Sequence, residues 1–155
     1  MNPSVLFSNR LINVGVLSWA AAQFLKTMID LVRHKRFDKG RLAGAGGMPS
    51  SHSSVTASVV LTSYYLYGFQ SSAFAVSFIL ALIVMYDAAG VRWSAGLHAQ
   101  AINRIIEYLA AQDKNHPLRE EIPKLNESIG HRRAEVLCGA LLGILIAAAA
   151  QALSS

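Results

Sequence analysis

The chain has 155 residues, of which 53% are hydrophobic and only 15% charged, with a formal net charge of +5 and a mean hydropathy of +0.36. This length predicts a single domain, and so apolar a composition predicts an integral membrane protein rather than a water-soluble one. No interleaved basic and aromatic surface points to nucleic acid, and a lone cysteine, Cys138, excludes an internal disulfide while leaving the redox compartment open.

The first apolar stretch runs from Leu11 to Val32. Its opening has the look of a secretory leader, apolar from Leu11 and ending Ala20-Ala21-Ala22. The pattern continues through Phe24, Leu25, Met28, Ile29 and Leu31, however, so a retained helix long enough to span a bilayer is expected. A basic stretch with Arg33, Lys35, Arg36, Lys39 and Arg41 follows.

Next comes Gly46-Gly47-Met48-Pro49-Ser50-Ser51-His52-Ser53. A glycine pair, a proline and two hydroxyl residues before a histidine predict a loop opening a helix. Free backbone N–H groups and the helix dipole favour an anion such as phosphate there. His52 then sits where it can pass a proton to that anion's leaving group.

A second apolar stretch covers Val55 to Phe69, and Gly68-Phe69-Gln70-Ser71-Ser72 predicts a tight turn into a third, Ala73 to Val91. From Ser94 to Ala111 the pattern is amphipathic, with Leu97, Ala101, Ile105 and Leu109 on one face and Gln100, Asn103, Arg104 and Glu107 elsewhere. That helix is expected to lie in the membrane interface or over the bundle. Asp113 to Ser128 is a polar connector with Pro117 and Pro123, and a last apolar stretch runs from Ala134 to Leu153. The expectation is an all-α, polytopic membrane bundle: one domain over 1–155, about four transmembrane helices near 11–32, 52–69, 73–91 and 131–153, and an amphipathic interfacial helix.

Arg92, Arg104, Lys114, Arg119, Lys124, Arg132 and Arg133 form a second basic region between the third and fourth spans. The positive-inside rule places both basic regions in the cytoplasm and both termini on the opposite side. Lys26, Asp30 and Arg33, then His52, then Asp87 and Arg92, then His131 and Glu135 all fall at helix ends on that cytoplasmic face. Ionisable groups cost roughly 2.5–3.5 kcal/mol each at the centre of a span, so their gathering at one depth predicts a polar cavity.

Blander readings stand beside this one. Lys26 and Asp30 are spaced i,i+4 and can neutralise each other. Arg33, Lys35 and Arg36 serve as topology determinants, and Asp87 with Arg92 as a helix-end pair. His131 can cap a helix and Glu135 favour its N-terminus. Arg132 and Arg133 at a helix start fit either an anionic neighbour or topology alone. An ordinary cap, by contrast, needs neither the glycines nor the imidazole of His52. His34 and His116 lie in charged loops. No His or Cys spacing suggests zinc and the carboxylates are scattered, so metal-independent chemistry without a cofactor is expected.

With these motifs placed, the chain resembles the type-2 phosphatidic acid phosphatase superfamily, which includes vanadium-dependent haloperoxidases. It resembles more closely a divergent branch of small membrane proteins, marked by G-G-M-P-S-S-H-S, D-A-A-G-V-R and a late G-H-x3-E-V. Here these are Gly46 to Ser53, Asp87 to Arg92, and Gly130-His131 with Glu135-Val136. The superfamily's general pattern is K-x6-R-P, P-S-G-H and S-R-x5-H-x3-D. Lys26 and Arg33 match the first with His34 in place of proline, and Ser51 replaces the glycine of the second. The third is divided: Arg92-x5-His98 fits one half, with Ile102 where the acid belongs, and His131-x3-Glu135 fits the other.

The resemblance implies phosphoryl transfer through a phosphohistidine. His131 is the preferred nucleophile, because an acid at i+4 shares its helix face and can orient the imidazole; His98 is the alternative. Glu135 would fix the tautomer; Lys26, Arg33, Arg92 and backbone groups at Ser50 and Ser51 would bind the phosphate oxygens. His52 would protonate the leaving group and Asp87 would position Arg92. The implied substrate is a lipid phosphate drawn from membrane lipids (phosphatidic acid, phosphatidylglycerol phosphate or a polyprenyl phosphate), with vanadate as a phosphate analogue. The rival readings are a turnover-silent membrane protein that binds anionic headgroups or a protein partner, and a haloperoxidase. Gly139-x3-Gly143, continued by Ala147, allows close helix packing within the bundle or in a homodimer.

Overall fold

A computed structural model describes residues 8–34, 47–112 and 122–154. The basic residues Lys35, Arg36, Lys39 and Arg41, with Gly46, and the connector residues Lys114, His116, Pro117 and Arg119 lie outside the described residues. Among the described residues five helices follow in order: α1 (Arg10–His34), α2 (Ser51–Tyr67), α3 (Ser72–Ala89), α4 (Val91–Gln112) and α5 (Arg133–Ala152). No strand occurs among the described residues.

Local chemistry sets the helix ends. The Asn9 side chain accepts the N–H groups of Leu11 and Ile12 at 3.0 and 3.3 Å, starting α1. The Ser50 and Ser71 hydroxyls accept from the N–H groups of Ser53 and Phe74, starting α2 and α3. Gly68, with φ of 79°, ends α2 where a side chain would be strained, so the tight turn predicted there is present. Arg10 reaches the far end of the chain, donating to the Ala150 carbonyl and to Gln151 Oε1 at 3.0 and 2.8 Å.

Helix α2 is the hub, packed on α5, α1 and α3. Its buried residues are small or hydroxylated: Ser51, Ser53, Ser54, Ala57, Ser58, Thr62 and Ser63. Among the described residues the largest fully buried side chains are serines, whereas Phe24, Val32, Val76, Ile83, Leu137 and Leu145 face outward. That inversion of the soluble pattern is the packing of helices surrounded by lipid, where small residues let backbones approach and apolar bulk meets hydrocarbon. Gly139 and Gly143 show it directly: a methyl on either would overlap the carbonyl oxygen of Ser50 or Ser54. The glycine face of α5, open to either use in the sequence, is thus occupied by α2 of the same chain.

Ser72–Gln112, which joins α3 and α4 across Gly90, and Arg133–Ala152 are long and apolar enough to cross a membrane. At 17 residues α2 is shorter than the ~20 a perpendicular span requires. The amphipathic helix starts earlier than predicted, at Val91, and buries Gly96, Ala99, Asn103 and Ala110 while its apolar residues Leu97, Ala101 and Ile105 are exposed.

Candidate functional site

The N-terminal ends of α2 and α4, the C-terminal end of α3 and the segment entering α5 meet around a cavity of about 200 Å³. It is lined by His52, Ile83, Val84, Asp87, Ala88, Arg92, Gly130 and His131. His52 comes from the first turn of α2, and its ring lies 6.3 Å from that of His131, centroid to centroid. Two histidines distant in sequence therefore flank a single space.

His131 is held at two points. Its backbone N–H donates to the Ala88 carbonyl at 2.9 Å. Its Nδ1 lies 3.2 Å from Glu135 Oε2, the same oxygen that accepts the Arg132 N–H at 3.1 Å. Only 2% of its surface is exposed, and its Nε2 is buried with no hydrogen-bond partner. With the Nδ1 proton committed to the carboxylate, Nε2 carries the free lone pair. His131 precedes α5, and burial pushes its imidazole below the ordinary histidine range; the bond to Glu135 opposes this and the charge of Lys26 reinforces it. The neutral ring is thereby favoured at neutral pH.

The two halves of the divided motif are rejoined by backbone contact. Gly130, with φ of 86°, lies so close to the backbone of Arg92 and Trp93 that a side chain there would collide with it. Across the same strip Gly96 lies under the carbonyls of Glu127 and Ile129. Asn103, buried on α4, exchanges hydrogen bonds with both the N–H and the carbonyl of Leu125, each at 3.0 Å, and donates to Glu127 Oε1 at 2.7 Å. Helix α4 is therefore a cradle for the segment that delivers His131.

Arg92 Nε donates to Asp87 Oδ2 at 2.5 Å, with both side chains partly exposed on the cavity wall. Lys26 is buried on α1; its stem packs beside Gly47, whose φ is 93°, and its charge is felt by Glu135 and by both histidines. Arg33 belongs to the last turn of α1, its side chain lying outside the described residues. Ser51 is buried at the start of α2.

Two residues are placed differently from expectation. The Ser50 N–H donates to the Glu135 carbonyl at 3.0 Å, and its hydroxyl accepts from Ser53, so Ser50 is a cap and a tie to α5 rather than a free anion donor. His98 is exposed on α4 and is not among the described residues that line the cavity, whereas Arg92 and His131 both line it. Sequence reasoning passed over Ile83, Val84 and Ala88 as wall residues, although Ala88 lies inside the D-A-A-G-V-R motif. Among the described residues no cluster of three or more His, Cys, Asp or Glu side chains could hold a metal ion.

The protein YuiD of Bacillus subtilis (strain 168), named as an uncharacterized membrane protein, is 37% identical over 131 residues, covering 81% of this chain and 83% of its own. No solved structure matches. The family model described as the divergent PAP2 family matches residues 7–146, a stretch that contains every residue of the cavity, and the chain belongs to that family.

Proposed function

We propose that the protein is an integral membrane phosphatase that hydrolyses a lipid phosphomonoester through a phosphohistidine. The observation that carries this reading is the buried, unpartnered Nε2 of His131 beside a cavity shared with His52 and Arg92. In the first step Nε2 attacks phosphorus; a P–N bond forms as the ester P–O bond breaks, and His52 gives its proton to the departing alkoxide. In the second step water attacks the phosphohistidine, His52 takes its proton, and inorganic phosphate leaves. Arg92, steadied by Asp87, and Lys26 offset the charge on the equatorial oxygens, with Arg33 and the start of α2 at Ser51 assisting. Glu135 holds the His131 tautomer, as the acid does in a catalytic triad.

The outward-facing apolar side chains and serine-rich interior support membrane embedding, with four crossings by α1, α2, α3 and α5 and with α4 at the interface. The basic segments favour a cytoplasmic site with termini opposite. Because α2 occupies the glycine face of α5, a homodimer would pair through another surface.

The test is phosphate release by purified protein in detergent, over a panel comprising phosphatidic acid, phosphatidylglycerol phosphate and a polyprenyl phosphate. Turnover unaffected by EDTA and lost in His131→Ala and His52→Ala is the expected result. Binding of lipid phosphates without release from any of them overturns it in favour of a headgroup-binding protein.

A further inference from the structure

The histidine cavity, at about 200 Å³, takes a phosphate and the first atoms of its ester but no hydrocarbon chain. A larger concavity of about 820 Å³ adjoins it between α3 and α5 and shares Ile83 and Asp87 with it as a common wall. Arg133 stands on its polar side. A third hollow of about 510 Å³, floored by α2, continues from there through the shared residues Leu82 and Met85. It ends among Phe69 and Phe74 near the start of α3. From Asp87 back to Phe74 the helix rise makes this track roughly 20 Å long, the reach of one extended acyl chain. It exists because α3 and α5 meet at few points while each packs on α2. The apolar hollow between α1 and α2, around Trp19 and Val59, shares no residue with the histidine cavity.

Resting on the phosphatase reading above, we propose that the α3–α5 track seats one hydrocarbon chain of the lipid phosphate whose headgroup occupies the histidine cavity. The cavity adjoins the track across Ile83 and Asp87, and apart from Asp87 and Arg133 the track beyond is lined mostly by apolar side chains. Leaving the bilayer for the track gains a chain no hydrophobic energy, because lipid is as apolar as the groove. The track therefore orients the ester and selects chain shape, and Arg133 complements the anionic end.

The experiment is photocrosslinking of the full-length protein in phosphatidylcholine vesicles, using a non-hydrolysable phosphonate analogue of phosphatidic acid with a diazirine in mid-chain. Adducts are mapped by mass spectrometry. The proposal expects adducts on Leu82, Met85 or Ile144, competed by vanadate, and about tenfold fewer when Ala140→Trp fills the track. Unchanged vanadate-induced shifts of the His52 and His131 resonances in that variant would show that the bundle is intact. Adducts concentrated around Trp19 and Val59, or equal labelling by the matching phosphatidylcholine probe, overturn it. Labelling in the track without phosphate release from any lipid phosphate keeps the track and removes the phosphatase. Release with labelling elsewhere does the reverse.

Discussion

The backbone N–H of Ser50 donates to the carbonyl oxygen of Glu135 at 3.0 Å, fastening the start of α2 to the first turn of α5. His52 stands two residues beyond one partner and His131 four residues before the other, so this bond helps set the separation of the two imidazoles. Its position next to the Gly139 contact with Ser50 makes the α2–α5 seam the reference frame of the site.

Replacing Glu135 by Gln tests the link between that seam and the chemistry. The amide keeps the size of the carboxylate but not its charge, so the His131 tautomer is held less firmly and kcat is expected to fall by about 10²-fold. Glu135 favours the charged imidazole, so its neutralisation lowers the His131 pKa and moves the acid limb of the kcat profile to lower pH. A limb that moves upward would contradict the assigned contact.

Wild-type stability is expected to depend on His131 in a defined direction. The folded pKa lies below the ordinary value of 6.5, so between the two the unfolded chain binds more protons than the folded one. The contribution is complete above the ordinary value and is lost as pH falls through the folded one. Thermal unfolding in detergent over a pH series reads this, and His131→Phe should flatten that part of the curve.

Gly139→Ala and Gly143→Ala are each expected to destabilise by about 1–3 kcal/mol, because the added methyl meets a backbone carbonyl that cannot step aside. Gly68→Ala provides a contrast. Its methyl meets nothing, and only the positive φ opposes it. Denaturation midpoints of the three variants check the ranking.

Asn103→Ala removes both hydrogen bonds to Leu125 and the one to Glu127, leaving buried groups unsatisfied at about 1–3 kcal/mol. Because the loosened segment carries His131, kcat should drop while KM for the lipid phosphate stays near wild type. Single-turnover kinetics separate these effects, and a rise in KM alone would remove Asn103 from the positioning of the nucleophile.

Much of this organisation was legible in the sequence because membrane helices write themselves as apolar runs and their ends as charges. The bounds of α1, α3 and α5 lie within about two residues of the apolar stretches, the usual uncertainty of helix ends. His131 and Glu135 at i,i+4 translate directly into a shared helix face. Long-range ties leave no such periodic mark. Nothing around Ser50 announces that its N–H is taken by a carbonyl from the other end of the chain. Nor does Asn103, read as a surface residue of an amphipathic helix, announce the strip of chain it clasps. The third motif is divided in the sequence, and in three dimensions Gly130 packs against the backbone of Arg92 and Trp93 and so restores the junction.

The serine and glycine interior also dictates what the fold requires of its surroundings. Among the described residues nearly all the oily bulk lies on the outside, so there is little greasy centre to hide from water. The solvating belt is in effect a structural component, and a detergent too short to wrap α3 and α5 would strip the molecule of part of its architecture.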